Sequence, residues 1–125
     1  MITRVHSAPI VVSDQQAAID FYVGKLGWKV VIDQMMGDNF RFITVSPSPG
    51  SAQIALNPEG MLRDRKVGSQ SGISLIADDI DRLYEELSAR GLTFTMPPSD
   101  MPWGARGAEI SDPDGNTFFV TTDQA

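Results

Sequence analysis

The hydrophobic and polar pattern of the first half of the chain predicts four strands and one helix. Short apolar runs rich in β-branched residues favour strands. Such runs occur at Ile10–Val12, Trp28–Ile32, Phe40–Val45 and Ala52–Leu56. Between the first two, apolar residues recur at the spacing of one helix face, at Ala18, Phe21, Tyr22 and Leu26. Ser13, with Gln16 three residues later, is typical of a capping box that starts this helix, and Gly27 is typical of its end.

The second half of the chain predicts the same order of elements. Its apolar runs predict strands at Ile73–Ala77, Leu92–Thr95, Ala108–Ser111 and Thr117–Thr122. Apolar residues at i, i+3, i+4 and i+7 predict a helix through Ile80, Leu83, Tyr84 and Leu87. Either Asp78 or Asp79 caps this helix, and Gly91 ends it. A loop from Pro97 to Gly104 follows the second strand, and the turn-forming residues 112–116 close the last two strands into a hairpin.

The two halves also align residue by residue, which indicates an internal repeat. Adding 65 to Ser7 gives Gly72, and adding 65 to Asp14 gives Asp79. We therefore predict one domain over residues 1–125, with repeats at about 1–57 and 72–123. The predicted fold class is α+β, with two tandem βαβββ modules that form a curved eight-stranded mixed sheet around a cleft. Each module places its helix on the outer face.

Composition and charge narrow the classes of function. A length of 125 residues with 42% hydrophobic content fits one domain with a substantial core. The net charge is −6 and the chain has no block of lysine or arginine, which argues against a nucleic-acid partner. The chain has no cysteine, which excludes disulfides, thiolate metal sites and a cysteine nucleophile. No apolar run approaches the length of a membrane span, and the first residues lack a signal-peptide core, so we expect a cytoplasmic protein without a membrane partner.

Several local motifs carry a resemblance to a known family. In the first half they are Val12-Ser13-Asp14, Phe21-Tyr22 and Leu26-Gly27-Trp28. In the second half they are Ala77-Asp78-Asp79-Ile80-Asp81, Arg90-Gly91, Pro102-Trp103-Gly104 and Asp112-Pro113-Asp114-Gly115-Asn116. In their order and spacing, these motifs resemble the vicinal oxygen chelate superfamily, which includes glyoxalase I, bleomycin-resistance proteins and extradiol dioxygenases. Relatives of this fold often pair as homodimers, so the resemblance also implies a homodimer.

In metal-using relatives, the resemblance implies four inward-facing His, Glu or Gln ligands for one divalent ion. Carried over position by position, these ligands fall on Ser7, Gln53, Gly72 and Phe119. Gly72 and Phe119 have no donor atom, so we predict no divalent metal and no other cofactor. His6 is the only histidine and lies one position before Ser7. Because side chains alternate along a strand, this shift places His6 on the opposite face.

The predicted cleft has a mostly small and apolar lining with a few hydroxyl and amide groups, which is typical of a small-molecule pocket. We expect the ligand-binding residues to be Ser7, Pro9, Phe42, Gln53, Trp103, Arg106, Phe119 and Thr121. Trp103 either caps the cleft or anchors its loop in the core. Arg106 either pairs with an anionic ligand group or is a surface arginine. We interpret the basic residues Arg63, Arg65 and Lys66 as part of a solvated loop.

Three hypotheses about function follow. The preferred one is a metal-independent member of the glyoxalase and bleomycin-resistance group that binds a small, partly hydrophobic organic molecule. The alternative is an enzyme, either a glyoxalase-like lyase or isomerase with a rearranged metal site, or a metal-free catalyst that uses Gln53, Ser7 or His6. The third is a dimeric interaction module whose cleft is vestigial.

Overall fold

Eight strands and two helical regions make up the described part of the chain, residues 1–61 and 65–123 of a computed structural model. They fall into two compact units, module 1 and module 2, with the boundary between Val67 and Gly68. Each module has the element order βαβββ, which confirms the α+β class and the duplicated architecture. The strands form two four-stranded mixed sheets, one in each module.

Module 1 contains a sheet with the strand order β1-β4-β3-β2. Its strands are β1 (Ser7–Val12), β2 (Lys29–Met36), β3 (Phe40–Ser46) and β4 (Gln53–Pro58). β1 pairs with β4 in parallel, and the other neighbours are antiparallel. The helical region between β1 and β2 begins as α1 (Gln15–Ile19) and continues as a π-helical segment (Asp20–Lys25).

Module 2 repeats this topology with the strand order β5-β8-β7-β6. Its elements are β5 (Gln70–Ile76), α2 (Ile80–Ala89), β6 (Thr93–Asp100), β7 (Arg106–Ser111) and β8 (Thr117–Thr121). β5 pairs with β8 in parallel, and the remaining neighbours are antiparallel. Buried residues on alternate positions of β7 and β8 face the same side as α2, which buries Ile80 and Leu87. Burial of each such side chain stabilises the module by about 1.5–3 kcal/mol.

The first helix starts one residue later than the capping-box interpretation predicts. Asp14, not Ser13, has the extended backbone of an N-cap, and its carboxylate accepts hydrogen bonds from the Gln16 and Ala17 amides at 2.9 and 3.1 Å. A carboxylate accepts these bonds more strongly than a hydroxyl does, because it is charged. Asp79 caps α2 in the same way, as one of the two predicted alternatives. The second half of the first helix winds as a π-helix, which its apolar spacing did not predict.

The strands β2 and β6 extend furthest past the C-terminal ends that their apolar runs predict. β2 continues through Asp33 to Met36, and β6 continues through Pro97 and Pro98 to Asp100. Both are edge strands in their sheets. An edge strand tolerates polar residues and proline because one side of its backbone makes no ladder hydrogen bonds. The register shifts in β6 between Met96 and Ser99 accommodate the proline pair.

The connection between the modules lies partly within the described residues. Arg65 is half-buried and its guanidinium donates to the Pro9 carbonyl at 3.3 Å, whereas Lys66 is exposed. Arg63 lies outside the described residues. In the ranges that the structure covers, no helix combines the length and apolar character needed to cross a bilayer.

Candidate functional site

The face of the module 1 sheet opposite the helix brings four predicted ligand-binding residues together. Ser7 is paired with Gln53, and Pro9 is paired with Ala55, so these side chains share one face. Thr44 is paired with Ala55 on that face, and Phe42 lies two residues from Thr44 along β3. We call this surface the helix-free face of module 1. The alternation expected from the sequence therefore places Ser7, Pro9, Phe42 and Gln53 on one side of the sheet.

A short hydrogen-bond chain fixes the Gln53 amide on this face. The Ile32 amide donates to Thr44 Oγ1 at 3.2 Å, and the Thr44 hydroxyl donates to Gln53 Oε1 at 2.6 Å. Thr44 is fully buried, so its hydroxyl is held in place by the surrounding sheet. Because the amide oxygen accepts from Thr44, the two N–H groups of Gln53 Nε2 remain as donors.

Asn57 adds an unsatisfied polar atom to the same face. It lies on β4 two residues beyond Ala55 and is 8% exposed. Among the described residues, Asn57 Oδ1 is buried without a hydrogen-bond partner. Leaving a buried acceptor unpaired costs about 1–3 kcal/mol. A ligand donor that reached this atom would remove that cost.

The helix-free face of module 2 carries the aromatic residue Phe119. Ser74 is paired with Phe119 and Ile76 is paired with Thr121, so these four side chains share one face of the sheet. Ile76 is 61% exposed, which shows that this face is open in the chain. Phe119 and Thr121, two predicted ligand-binding residues, are thus neighbours on this accessible face.

Trp103 extends this surface from the loop between β6 and β7. Two hydrogen bonds close the loop, from the Met101 amide to the Ala105 carbonyl at 2.7 Å and from the Gly104 amide to the Met101 carbonyl at 3.0 Å. Trp103 at the tip is 61% exposed, and its ring centroid lies 6.2 Å from that of Phe119. This exposure excludes the interpretation of Trp103 as a core anchor. We refer to Trp103 and Phe119 as the aromatic pair.

Gly107 makes room for the aromatic pair, and the sequence analysis missed it. A Cβ atom added to Gly107 would lie 2.6 Å from Cζ of Phe119 and 3.1 Å from Cγ of Met101. The Phe119 ring therefore lies across the backbone of β7 at the only type of residue that leaves this space. Glycine inside a strand is a signal for such a close approach, but its partner is not visible in the sequence.

Arg106 does not join the other predicted ligand-binding residues. Its position on β7 alternates with Gly107, so its side chain points to the helix side of the sheet, away from Phe119. There it donates two hydrogen bonds to Asp81, at 2.7 and 3.0 Å, and one to Asp100 at 2.9 Å. These hydrogen bonds raise the pKa of Arg106 above its ordinary value. The guanidinium thus ties α2 to the sheet, in line with the alternative that Arg106 is a surface arginine.

Glu109 is a second residue that the sequence analysis missed. It is paired with Phe119 across β7 and β8, so its side chain lies on the helix-free face of module 2. The Thr95 hydroxyl donates to Glu109 Oε1 at 2.6 Å and so orients the carboxylate. Counting residue pairs back from the turn of the last hairpin would have predicted that Glu109 lies opposite Phe119.

The position predicted for the third metal ligand is part of a β-bulge. The register of β5 against β8 shifts before Ser74, and Gly72 lies in the shift with φ of 75°. The Ser71 hydroxyl bridges the gap by donating to the Thr117 carbonyl at 2.6 Å. A positive φ favours glycine, so Gly72 has a backbone role. Ser74, not Gly72, is the residue paired with Phe119.

The residues present do not fit the divalent metal of the family pattern. In module 1, Gln53 Oε1 already accepts a hydrogen bond from Thr44, and Ser7 offers a neutral hydroxyl. In module 2, Gly72 and Phe119 offer no donor atom. Across residues 1–61 and 65–123, no three His, Cys, Asp or Glu side chains are grouped closely enough to hold a metal ion. His6 precedes β1 and is one of the residues that line a cavity together with Gln53.

Comparisons with known proteins agree on one family. The family model described as Glyoxalase/Bleomycin resistance protein/Dioxygenase superfamily matches residues 4–120. A solved structure of a member of this superfamily from Sphaerobacter thermophilus DSM 20745 has a TM-score of 0.93 and 50% identity, and the match covers 98% of each chain.

Two further relatives are similar over nearly their whole length. TnmS3, an antibiotic binding protein from Streptomyces sp. CB03234, has a TM-score of 0.84 and 32% identity, with 98% of each chain covered. The protein YetH of Bacillus subtilis (strain 168) is 28% identical over 120 residues, which are 96% of this chain and 98% of YetH.

Proposed function

Because the chain belongs to the glyoxalase/bleomycin resistance protein/dioxygenase superfamily, we propose that it binds a small, partly hydrophobic organic molecule without using a metal ion. The aromatic pair carries this proposal. Trp103 is 61% exposed and stands beside Phe119 on the helix-free face of module 2. Exposed aromatic side chains held next to each other are typical of surfaces that bind flat apolar ligands.

The way that the aromatic pair is held supports binding rather than packing. Phe119 lies against Gly107, and two backbone hydrogen bonds fix the loop that carries Trp103. A surface that is rigid before the ligand arrives loses little side-chain freedom on binding, which favours affinity. Stacking on such a ring contributes about 0.5–1.5 kcal/mol beyond the area buried.

The lack of a donor atom at two of the four family positions supports a metal-independent function. A divalent ion needs several nitrogen or oxygen donors at about 2.0–2.2 Å. Two of the four family positions, Gly72 and Phe119, carry none, and the amide oxygen of Gln53 is engaged by Thr44. We therefore assign the family fold of this chain to ligand binding, with no step that depends on a metal.

The similarity to TnmS3 suggests the class of ligand. TnmS3 is an antibiotic binding protein and is 32% identical to this chain over almost its whole length. We propose that the ligand here is likewise a compound of antibiotic type, and the aromatic pair of this chain leads us to propose that it is aromatic. The aromatic pair gives such a ring system a place to stack.

A ligand panel tests the proposal. Doxorubicin and tetracycline, which have fused rings, are expected to raise the melting temperature, whereas kanamycin, which has no aromatic ring, is not. A ligand at 100 times its Kd adds about 2.7 kcal/mol to the free energy of unfolding, which a thermal-shift assay detects easily. Binding is also expected to quench the emission of Trp103. EDTA is expected to leave both signals unchanged.

Two matched variants separate binding from stability. Trp103→Ala is expected to weaken binding about two- to tenfold, with the free energy of unfolding unchanged within about 0.5 kcal/mol because the side chain is exposed. Met35→Ala is the control, since Met35 is 60% exposed and lies on an edge strand of module 1. If no aromatic compound shifts the melting temperature, or if EDTA abolishes the effect, the proposal is wrong.

A further inference from the structure

Two adjacent cavities in module 1 carry uncompensated positive charge. One has a volume of about 260 Å³ and the other about 240 Å³, and both are lined by Arg4, Gly50, Ser51 and Gln53. Lys29 lines the second cavity and His6 the first. Each cavity is smaller than a pocket for a whole drug-sized molecule, which is about 300–1,000 Å³. Their size suits one functional group of a ligand.

Within residues 1–61 and 65–123, the two cations Arg4 and Lys29 that line these cavities have no carboxylate partner. Arg41, Arg82 and Arg106 each form an ion pair with Asp or Glu. In the described part of the chain, Arg4 and Lys29 form none. The described residues that line the cavities include no Asp or Glu. The whole chain has a net charge of −6, but the region around these two cavities is locally positive and therefore attracts anions.

The Gln53 amide adds a directed donor to these charges. Its oxygen accepts from Thr44, so the N–H groups of Nε2 are left for a ligand acceptor. The nearby serine hydroxyls contribute less, because Ser46 donates to the Ser48 carbonyl and Ser51 donates to the Ala52 carbonyl. The cationic and side-chain amide donors at these cavities are therefore nitrogen atoms on Arg4, Lys29 and Gln53.

Apolar side chains line the same cavities. Val5 and Ala52 line the first, and Val31 and Pro49 line the second. An inorganic ion would leave these side chains without contacts, whereas an organic anion would cover them.

We propose that module 1 binds the oxyanion group, carboxylate or phosphate, of a small organic molecule through Arg4, Lys29 and the Gln53 amide. The inference goes beyond the proposed function, because it adds a binding site in module 1 that does not involve the aromatic pair. It concerns module 1 alone and is tested with compounds that do not need the aromatic pair.

The test is an NMR titration that follows the side-chain amide signal of Gln53. Benzoate and phenyl phosphate are the two anionic probes, benzamide is the neutral probe of the same shape, and inorganic phosphate is the anion without an apolar body. Benzoate and phenyl phosphate are expected to shift the Gln53 signal and to bind at least about fivefold more tightly than benzamide and inorganic phosphate, as expected for a charge-assisted contact. The stronger of the two anionic probes identifies the oxyanion.

Charge-removing variants locate the site. Arg4→Gln and Lys29→Gln are each expected to weaken benzoate binding about two- to fivefold. Arg82→Gln, which removes the same charge from α2 in module 2, is expected to have no effect. Gln53→Glu keeps an oxygen for Thr44 but places a carboxylate next to the anion, so it is expected to abolish binding.

Equal binding of benzoate and benzamide, or equal weakening by Arg82→Gln, would overturn the anion site. If doxorubicin or tetracycline still stabilises the protein when the anion site has been overturned, the proposed function remains supported. Conversely, selective binding of benzoate with no response to any aromatic antibiotic supports the anion site and contradicts the proposed function.

Discussion

In module 1 the helix-free face carries Gln53 beside Thr44, whereas the equivalent place in module 2 carries Phe119 over Gly107. The strand order is the same in both modules. The two halves therefore share the scaffold but differ at this place, which holds an amide in module 1 and an aromatic ring in module 2. The chemistry of this chain therefore depends on the residues of each face and not on the fold that the modules share.

The strand pairing of the two modules has diverged as well. β1 and β4 pair without interruption from Ser7 to Val12, whereas β5 and β8 are interrupted by the bulge at Gly72. A bulge redirects the side chains next to it. In module 1 the strand pairing brings Ser7 opposite Gln53, but in module 2 it brings Ser74 opposite Phe119.

The largest effect on stability is expected at Gly107, because the Phe119 ring occupies the space that a Cβ atom would take there. Gly107→Ala puts a methyl group 2.6 Å from Cζ of Phe119, so the ring or the strand must move. We expect this variant to lose about 1–3 kcal/mol of unfolding free energy, as overpacked sites do. Urea denaturation measures the loss. Quenching of Trp103 by bound ligand is expected to weaken in the same variant.

Gly24→Ala is the matched control in module 1. A Cβ atom at Gly24 meets no atom within 4 Å, and Gly24 lies in a helical segment without a positive φ. Replacing glycine by alanine at such a position stabilises a protein by about 0.4–1 kcal/mol. The two substitutions are therefore expected to have opposite signs. A neutral Gly107→Ala would show that Phe119 does not need this space.

Regular pairing explains which parts of the fold could be predicted. The apolar runs placed all eight strands, and the helical spacing in α2 gave its buried residues Ile80 and Leu87. The edge strands β2 and β6 were predicted too short. Their last residues do not alternate between apolar and polar, because burial does not require this pattern at an edge. The N-cap was misplaced by one residue, since Ser13 and Asp14 are both good capping residues and the choice depends on the backbone.

The sequence could place the candidate residues on a face of the sheet only where side-chain direction follows from alternation. Ser7, Pro9 and Gln53 share a face because β1 and β4 pair regularly. Arg106 lies at the start of β7, two residues before the predicted strand, so its direction was not determined by the pattern. The contact of Gly107 with Phe119 depends on the packing of a ring across a neighbouring strand, which one sequence does not reveal.

Replacing one threonine hydroxyl in each module is expected to give a stability effect of intermediate size. Thr44 in module 1 and Thr95 in module 2 both donate a 2.6 Å hydrogen bond to a side-chain oxygen, of Gln53 and Glu109 respectively. Thr44 is fully buried and also accepts from the Ile32 amide, whereas Thr95 is exposed. Thr44→Val is expected to cost about 1–2 kcal/mol because it leaves the half-buried Ile32 amide and Gln53 amide oxygen unpaired. Thr95→Val is expected to change the free energy of unfolding by less than about 0.5 kcal/mol.

Urea denaturation of the two threonine variants tests this difference. The Gln53 amide is expected to lose its fixed orientation in Thr44→Val, so its NMR signal should shift without any ligand. Equal costs for the two variants would mean that burial does not distinguish the two hydrogen bonds.

The smallest effect is expected from the ion pair on the edge of module 1. Arg41 donates to both carboxylate oxygens of Asp33 at 2.8 and 2.9 Å, and these hydrogen bonds lower the pKa of Asp33 below 3.8. A lowered folded-state pKa means that the stabilisation is fully present above the unfolded value and is lost as the pH falls through the folded one. Removing Arg41 should therefore reduce the acid sensitivity of the protein below about pH 4. Because the pair is exposed to solvent, the change is expected to be small.

Urea midpoints of Arg41→Gln and the unmodified protein at about pH 5 and about pH 3 measure this change. The unmodified protein is expected to lose more stability between the two values than Arg41→Gln. Lys29→Gln is the control, since it removes the same charge from β2 but, among the described residues, Lys29 forms no ion pair. If Lys29→Gln reduces the acid sensitivity as much as Arg41→Gln does, the effect comes from net charge. In that case the pairing of Asp33 with Arg41 does not distinguish this edge from the rest of module 1.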